Sequence, residues 1–271
     1  MTDGPSQLTD SVTRQLQALL EGAPSEARLA GAYRLLAKWR AHLIENTLAR
    51  RHGNLVLSGP FEGMQYGVRA SEGARAARML GCYEVTLVPV IEQIIARGYP
   101  QVVDIGSAEG YYAVGLARRM ADSRVLARDT NPEARKRCQA LAEMNGVADR
   151  VETGGAFTHA DFAICAGTET VIICDIEGGE DDLLDPEKAP ELAQADILVE
   201  AHDSMIPGLS DRLAARFEAT HKVTRLNRDV AMGVLPDWME GLSDLDRLTA
   251  LWEWRGGPTP WLWLERRQAD G

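Results

Sequence analysis

The sequence predicts an α/β fold in which helices cover both faces of a doubly wound, mostly parallel sheet. Two observations predict it. Short apolar runs typical of strands alternate with helical segments from residue 99 onward. The first hundred residues instead carry helical periodicity. We therefore predict an N-terminal helical extension with a short hairpin at residues 1–98, serving as a lid or dimerisation element, and a ligand-binding domain at 99–271.

The N-terminal extension divides into four predicted elements. Leucines near residues 16–20 indicate a first helix, and apolar spacings of three to seven predict a longer one over 25–51. Pro24-Ser25 supplies the start of the long helix and Gly53 its stop. Gly-Pro and Glu-Gly turn signals within residues 55–68 indicate a short hairpin. A further helix is predicted over residues 81–97.

The remaining chain predicts seven strands separated by helices or loops. The strands are predicted at residues 102–105, 124–129, 150–153, 170–175, 195–200 and 222–226, with a final antiparallel strand at 261–264. After the helix that follows the first strand, further helices are predicted at residues 132–144, about 180–184, 209–220 and 244–254. The fourth and fifth strands are almost continuously apolar, as parallel strands covered on both faces should be.

The most informative stretch is the end of the first strand and the glycine turn after it. Asp104, Gly106 and Gly110 form the pattern Asp-x-Gly-x-x-x-Gly. A tight glycine turn between a strand and a helix exposes backbone amides and a helix N-terminus to a ligand. The spacing differs from the Gly-x-Gly-x-x-Gly of dinucleotide-binding proteins. An acid two residues before the first glycine suits a ligand with a positively charged end.

A second acid follows the second strand at the distance that a nucleotide-binding βαβ unit requires. Asp129 lies twenty-three residues after Gly106, and Asn131-Pro132 begins the next helix as N-cap and first-turn residue. A carboxylate there commonly binds two ribose hydroxyls. We therefore predict ribose binding at Asp129.

Composition narrows the classes of function. The chain has 271 residues and a net charge of −11, which disfavours a nucleic-acid substrate because phosphate binding requires a basic surface. Its four cysteines show no metal or disulfide spacing, as expected in a reducing cytoplasm. The N-terminal region is polar, without an apolar signal region, and no run of eighteen apolar residues occurs. We expect a cytoplasmic protein that binds a small molecule, not a membrane.

A second group of polar residues follows the fourth and fifth strands. Asp175 and Glu177 follow one strand, and Glu200, His202 and Asp203 follow the other. Ligands of open α/β sheets collect at the carboxyl ends of strands, so these side chains should share a crevice with Gly106. So much negative charge needs a cation, a cationic cofactor or a proton nearby.

Three interpretations of this second group remain open from the residues alone. Asp175 and Glu200, with His202 or Asp203 completing the set, would hold a divalent ion such as Mg²⁺, which lowers the pKa of an attacking hydroxyl. Alternatively, His202 would act as a general base at neutral pH. In the structural interpretation, Glu177 and Glu180 cap a helix N-terminus and His202 hydrogen-bonds a loop.

Taken in order, these elements resemble the FkbM-type proteins among the class I S-adenosylmethionine-dependent methyltransferases. The resemblance covers roughly residues 55–265, and its most specific part is the Asp-x-Glu-Gly-x-Glu element at 175–180. The segments that carry it are Pro60-Phe61-Glu62-Gly63-Met64, Leu80-Gly81-Cys82-Tyr83-Glu84, the Asp104–Gly110 loop, Asp175–Glu180 and Val199-Glu200-Ala201-His202. It implies a Rossmann-like seven-stranded fold, S-adenosylmethionine as methyl donor, and a hydroxyl acceptor on a sugar or natural product.

The resemblance also implies roles for individual residues. The methionine end of the donor would lie against Asp104, Gly106, Ser107, Ala108 and Gly110, and the ribose against Asp129 and Thr130. Gly155 and Ala156 stand where the family often has an acid beside the adenine, so adenine contacts would come from backbone groups. The further donor contacts implied are Asp175 and Tyr83; Tyr83 and Glu84 fold over the donor in one interpretation and form a helix-surface pair in the other. His202 and Asp175 are the predicted catalytic residues.

Two other classes of function compete with this one. An NAD-dependent oxidoreductase is the nearest enzymatic alternative, although the dinucleotide glycine pattern is absent. The other is a binding or scaffold protein without catalysis. Within the methyltransferase interpretation, the sequence does not distinguish transfer to oxygen from transfer to nitrogen or carbon. The late tryptophans, Trp238 to Trp263, could form an aromatic platform for the substrate, but we expect them to serve in packing of C-terminal elements or in a dimer contact.

Overall fold

The computed structural model describes residues 6–71, 73–230 and 234–267. The predicted ranges 1–98 and 99–271 include residues 1–5 and 268–271, which lie outside the described residues. The described part contains nine α-helices and one seven-stranded sheet. The strands are β1 Gln101–Ile105, β2 Arg124–Arg128, β3 Val151–Gly154, β4 Thr170–Cys174, β5 Ala195–Glu200, β6 His221–Leu226 and β7 Trp261–Arg266. The helices are α1 Gln7–Leu20, α2 Glu26–His52, α3 Arg75–Leu80, α4 Val88–Arg97, α5 Tyr111–Arg119, α6 Pro132–Met144, α7 Glu180–Leu183, α8 Leu209–Phe217 and α9 Asp244–Leu251.

The strand order is β3-β2-β1-β4-β5-β7-β6, and only β7 runs antiparallel to its neighbours. This order confirms the predicted α/β fold and the Rossmann-like seven-stranded sheet. The order reverses direction beside β1, so β1 and β4 lie next to each other at the centre of the sheet. Polar residues that follow these strands therefore meet in one crevice.

The sheet divides the apolar core into two layers. On one side, β1 and β4 residues pack with α4, α5, α6 and with Ile44 and Leu48 of α2. On the other side, the alternate residues of β4 and β5 pack with α8 and the short helical turns around Phe162 and Leu192. Every residue of β4 and β5 is buried, as their continuous apolar sequences predict. Residues of the N-terminal extension thus belong to the same core as the sheet.

The N-terminal extension differs in detail from its prediction. The helix predicted at residues 81–97 begins only at Val88, as α4. A separate helix that was not predicted, α3, precedes it and ends where Gly81 takes a left-handed conformation (φ +79°). The predicted hairpin is reduced to one antiparallel bridge between Leu55 and Gln65. The last predicted helix ends at Leu251, not at residue 254.

One stretch, residues 75–97, is long and apolar enough to cross a membrane by the measure of length and composition alone. It comprises α3 and α4, which Gly81 separates. Its inward side packs in the core through Met79, Leu80, Ile91 and Ile94. These contacts account for its apolar composition within the fold.

Candidate functional site

The turn between β1 and α5 must be made of glycine at two positions. Gly106 has φ +84°, and a Cβ there would lie 1.6 Å from the carbonyl oxygen of Asp175. Gly110 has φ +91°, and a Cβ there would lie 2.6 Å from Sγ of Cys138 on α6. The missing side chains bring this turn against β4 and α6. The turn therefore forms the floor of a cleft at the carboxyl ends of the strands.

A cavity of about 410 Å³ lies beside this turn, and we call it the donor cavity. Most of the predicted donor-binding residues line it: Gly106, Ala108, Asp129, Thr130, Gly155, Ala156 and Asp175. Gly110 does not line it. Gly110 is the N-cap residue of α5 and lies against Cys138 of α6. The volume is in the range of small-molecule sites.

The carboxylate of Asp129 is held by two backbone amides at the rim of the donor cavity. Oδ2 accepts a hydrogen bond from the Ala108 N–H at 2.9 Å, and Oδ1 accepts one from the Asn131 N–H at 2.7 Å. A carboxylate has about four acceptor positions, so each oxygen keeps one for a ligand. This arrangement fixes the carboxylate and leaves it able to accept hydrogen bonds from two hydroxyl groups.

Asp104 and Ser107 lie at the deep end of the cleft, in a small hollow of about 30 Å³ lined also by Tyr83, Gly106 and Asp175. Asp104 is 3% exposed, and its Oδ2 has no hydrogen-bond partner among the described residues, nor has Oγ of Ser107. Burial raises the pKa of Asp104 to about 7. Buried polar atoms without partners fit a bound ligand that carries an ammonium group and hydrogen-bond donors. The residues present therefore fit the amino-acid end of S-adenosylmethionine.

Sequence reasoning missed the role of Glu109, which lies inside the same turn. Its side chain is fully buried, and its carboxylate accepts hydrogen bonds from the hydroxyl of Tyr66 and from the N–H of Ser71 at 2.8 Å. Burial alone would raise its pKa, but the Arg78 guanidinium 3.5 Å away and these hydrogen bonds lower it. Glu109 thus connects the glycine turn to Tyr66, Ser71 and Arg78 of the N-terminal extension.

A second cavity of about 320 Å³ adjoins the first, and we call it the acceptor cavity. It shares Glu177 with the donor cavity and shares Arg78 and Tyr83 with the deep hollow. Its other lining residues are Ala74, Glu200, His202, Ser204, Met205, Glu253, Trp254, Arg255, Gly256, Gly257 and Thr259. The two cavities are therefore neighbouring compartments of one cleft.

His202 lines the acceptor cavity and is oriented by Glu180. Nδ1 of His202 is 2.9 Å from Oε1 of Glu180, which is fully buried and also accepts the Ile176 N–H at 2.9 Å. Because the Glu180 carboxylate accepts a hydrogen bond from Nδ1–H, neutral His202 keeps Nε2 as its acceptor atom. Burial alone would lower the pKa of His202, but Glu180 and the other carboxylates raise it. The sequence suggested only helix capping for Glu180.

Three predicted metal ligands meet at the same place. Nε2 of His202 lies 3.5 Å from Oδ1 of Asp175 and 3.9 Å from Oε2 of Glu200. One donor atom from each residue lies within 4.8 Å of the others. Glu180 on Nδ1 provides the outer carboxylate typical of metal-binding histidines. The geometry therefore fits a divalent ion as well as a general base.

Glu200 also belongs to a buried ion cluster around Arg255. The Arg255 guanidinium contacts the carboxylates of Glu84 and Glu200, and Nε lies 3.1 Å from Glu253. Glu84 is 5% exposed, so the helix-surface interpretation of Tyr83 and Glu84 is wrong for Glu84. Sequence reasoning missed both Arg255 and Glu253, which no motif marks.

The backbone is strained at the cleft. Among the described residues, positive φ angles at non-glycine positions occur only at Ala74, Glu84, Ala108, Glu177 and Trp254. Four of these line the cavities, and the fifth, Glu84, binds Arg255. Strained conformations of this kind concentrate at functional sites. They therefore mark the cleft independently of any sequence motif.

The late tryptophans have two different roles. Trp261 and Trp263 on β7 are buried in the core, as predicted. Trp254 differs, because it lines the acceptor cavity while stacking on Trp252 at 5.5 Å and carrying Lys38 over its ring. Packing alone therefore does not account for Trp254.

No family model and no curated protein sequence matches this chain. Solved structures similar to it include an O-methyltransferase from Bacillus cereus in complex with S-adenosylhomocysteine (SAH), with 12% identity, a TM-score of 0.46, and coverage of 95% of this chain and 97% of that one. Another is the O-methyltransferase TomG from Streptomyces achromogenes in complex with SAM, with 14% identity, a TM-score of 0.46, and coverage of 95% and 96%. A third is the C-terminal domain of a precorrin-6Y C5,15-methyltransferase from Rhodobacter capsulatus, with 18% identity, a TM-score of 0.42, and coverage of 66% and 89%.

Proposed function

We propose that this protein is an S-adenosylmethionine-dependent O-methyltransferase of the FkbM type that acts on a hydroxyl group of a small metabolite, such as a sugar or natural product. One observation carries the proposal: a cavity with a ribose-type carboxylate and a buried acid adjoins a second cavity at His202. A donor and an acceptor that occupy these compartments would meet beside Asp175 and Glu177. A Cβ at Gly106 would collide with the carbonyl oxygen of Asp175, so the glycine turn lies directly against the end of β4.

The donor-binding residues divide by the part of the donor that they would contact. Asp129 would accept hydrogen bonds from the two ribose hydroxyls, with Thr130 at the same rim. Gly155 and Ala156 would offer backbone groups to the adenine. Asp104 would receive the ammonium group, and Ser107 would hydrogen-bond the carboxylate of the methionine end. Ser71, Arg78 and Tyr83, which line the donor cavity or the deep hollow, would close over the donor as part of the predicted lid.

The chemical step needs a base, because an alcohol is a weak nucleophile at neutral pH. S-adenosylmethionine supplies a methyl group on a sulfonium: the acceptor oxygen bonds to the methyl carbon, the carbon–sulfur bond breaks, and its electron pair stays on sulfur. Nε2 of His202 takes the hydroxyl proton. Glu180 holds the imidazole ring in the required tautomer, and Asp175, 3.5 Å from Nε2, stabilises the imidazolium that results. Alignment of the acceptor in the cleft contributes the rest.

Ligand binding tests this proposal against an oxidoreductase. We expect calorimetry to detect binding of SAH and no binding of NAD, because the cleft has one ribose-type carboxylate and lacks the dinucleotide glycine pattern. Asp129→Asn should weaken SAH binding by about tenfold through loss of charged hydrogen bonds. Asp122→Asn, which changes an exposed acid far from the cavities, serves as the matched control. Binding of NAD in place of SAH would instead support the oxidoreductase.

A divalent ion is the second candidate for activating the hydroxyl, and the donor atoms of Asp175, Glu200 and His202 favour it. An ion there would lower the pKa of the acceptor hydroxyl, and Nε2 would then be a ligand and unable to act as base. With His202 as base, we expect EDTA-treated protein to transfer methyl groups at the rate of untreated protein. The ion, and not His202, would activate the hydroxyl if EDTA stopped turnover, if Mg²⁺ restored it, and if the Asp175→Ala variant no longer responded to Mg²⁺.

A further inference from the structure

The acceptor cavity has a large excess of negative charge. Six carboxylates surround it and its immediate neighbours, namely those of Glu84, Asp175, Glu177, Glu180, Glu200 and Glu253. Among them lie two guanidinium groups, those of Arg78 and Arg255, and the imidazole of His202. Even with His202 protonated, this cluster is strongly negative. Its field therefore attracts cations and repels anions.

Neither guanidinium at the cavity is available to an acidic substrate. Arg255 contacts Glu84 and Glu200 with its terminal nitrogens, and one of these also donates to Thr259 at 2.9 Å. Arg78 donates to the Gly73 carbonyl at 2.5 Å, lies 3.5 Å from Glu109, and stacks 3.8 Å above the ring of Tyr83. A carboxylate or phosphate on the acceptor would thus enter a negative cavity without a free cationic partner.

Glu177 is the carboxylate best placed to meet a ligand. Its side chain is 60% exposed, whereas those of Glu180 and Glu200 are at most 2% exposed. Glu177 lines both the donor and the acceptor cavities, and its Oε2 lies 3.5 Å from Nε2 of His202. A group bound to Glu177 would therefore lie close to the position where methyl transfer takes place.

The rest of the cavity wall includes two aromatic rings and a thioether, those of Tyr83, Trp254 and Met205. The rings already hold cations of the protein, because the guanidinium of Arg78 lies 3.8 Å from the ring centre of Tyr83 and Nζ of Lys38 lies 4.6 Å from that of Trp254. The carboxylate of Glu177 is therefore the group that is left to bind an ammonium group. The volume of about 320 Å³ is near the lower end of ligand sites, which limits the acceptor to a small molecule.

We propose that the methyl acceptor is a small hydroxylated amine, whose ammonium group binds the carboxylate of Glu177 while its hydroxyl group reaches His202. This proposal rests on the proposed methyltransferase function and specifies its substrate class. Charge selects the amine, and the distance from Glu177 to His202 sets how far apart the amine and the hydroxyl stand in the molecule.

Matched pairs of probes test the substrate class. Dihydroxyphenethylamine and dihydroxyphenylacetate share a ring and differ in the charge of the side chain, and glucosamine and glucuronate form a second pair. We expect each amine to bind the SAH-saturated protein at least about tenfold more tightly than its acid, in the presence of EDTA. Equal or tighter binding of the acids would overturn the proposal. A requirement for added Mg²⁺ would also overturn it, because the negative charge would then belong to a metal site.

A pair of variants ties the effect to Glu177. Glu177→Gln should weaken amine binding by about tenfold and should reduce the difference in affinity between each amine and its matched acid. Glu187→Gln makes the same change at an exposed glutamate outside the cavities and should leave amine binding as in the wild type. Identical amine affinities of the two variants would contradict the role of Glu177. Failure of the wild type to bind SAH is a separate result, which would contradict the methyltransferase function itself.

Discussion

Replacing His202 with alanine is expected to slow methyl transfer by about 10²- to 10⁴-fold, the usual contribution of a general base. His202 lines the acceptor cavity, and Nδ1 of its ring lies 2.9 Å from Oε1 of Glu180. The side chain does not line the donor cavity, so SAH affinity should change little. The measurement is transfer of labelled methyl groups from S-adenosylmethionine to the acceptor, with SAH binding followed by calorimetry.

Two further variants make the test of His202 specific. His159→Ala removes a histidine that contacts the Asp182 carbonyl outside the cavities, and it should retain full activity. Glu180→Gln keeps a hydrogen-bond acceptor for Nδ1 but removes the negative charge, and it should slow transfer by about tenfold. A His202→Ala variant that transfers methyl groups as fast as His159→Ala would eliminate His202 as the base.

Asp104→Asn is expected to weaken binding of SAH by about 100-fold or more, since loss of one partner from a buried charge pair costs roughly 2–5 kcal/mol. The unpartnered Oδ2 of Asp104 lies in the hollow where the ammonium group would bind. Burial raises the pKa of this carboxyl to about 7, so the wild type should bind SAH more tightly as the pH rises through 7. Calorimetry at several pH values should show this increase, together with proton release on binding, and Asp104→Asn should abolish both.

The same substitution should have the opposite effect on the stability of the ligand-free protein. Because the folded-state pKa of Asp104 is raised from 3.8 to about 7, the folded protein binds more protons than the unfolded chain between these values. Its free energy of unfolding therefore falls as the pH rises through this window. At about pH 8, Asp104→Asn should be more stable than the wild type by on the order of 2 kcal/mol, with the difference shrinking toward pH 4. A variant that loses both stability and SAH binding at pH 8 would instead indicate a structural role.

The sequence alone predicted much of the cleft, because strand ends in a parallel sheet have predictable positions. The apolar runs before Gly106 and Asp175 identified β1 and β4, and the rule that ligands gather at carboxyl ends placed Asp175, Glu200 and His202 together. The structure brings these three residues within one cluster. Seven of the predicted donor residues line one cavity for the same reason.

The N-terminal extension was harder to predict, since its elements depend on contacts with the rest of the chain. Helical periodicity does not reveal that Gly81 turns left-handed, where a Cβ would lie 1.9 Å from the Ser58 carbonyl oxygen. Nor does it reveal that Tyr66 and Ser71 are held by Glu109, about forty residues later. Local patterns record propensity and amphipathicity, whereas these contacts arise only after the chain has packed.

The sequence by itself determined the succession of strands and helices along the chain, the glycine turn, and the acids at the carboxyl ends of β1, β2, β4 and β5. Only the tertiary structure decided which of those acids face a ligand and which neutralise one another. Arg255 contacts Glu84 and Glu200 across 171 and 55 residues of chain, and Glu180 orients His202 across 22 residues. The physical reason is that charges interact through space: a carboxylate's partner depends on the distances and burial that folding creates, and sequence separation records neither.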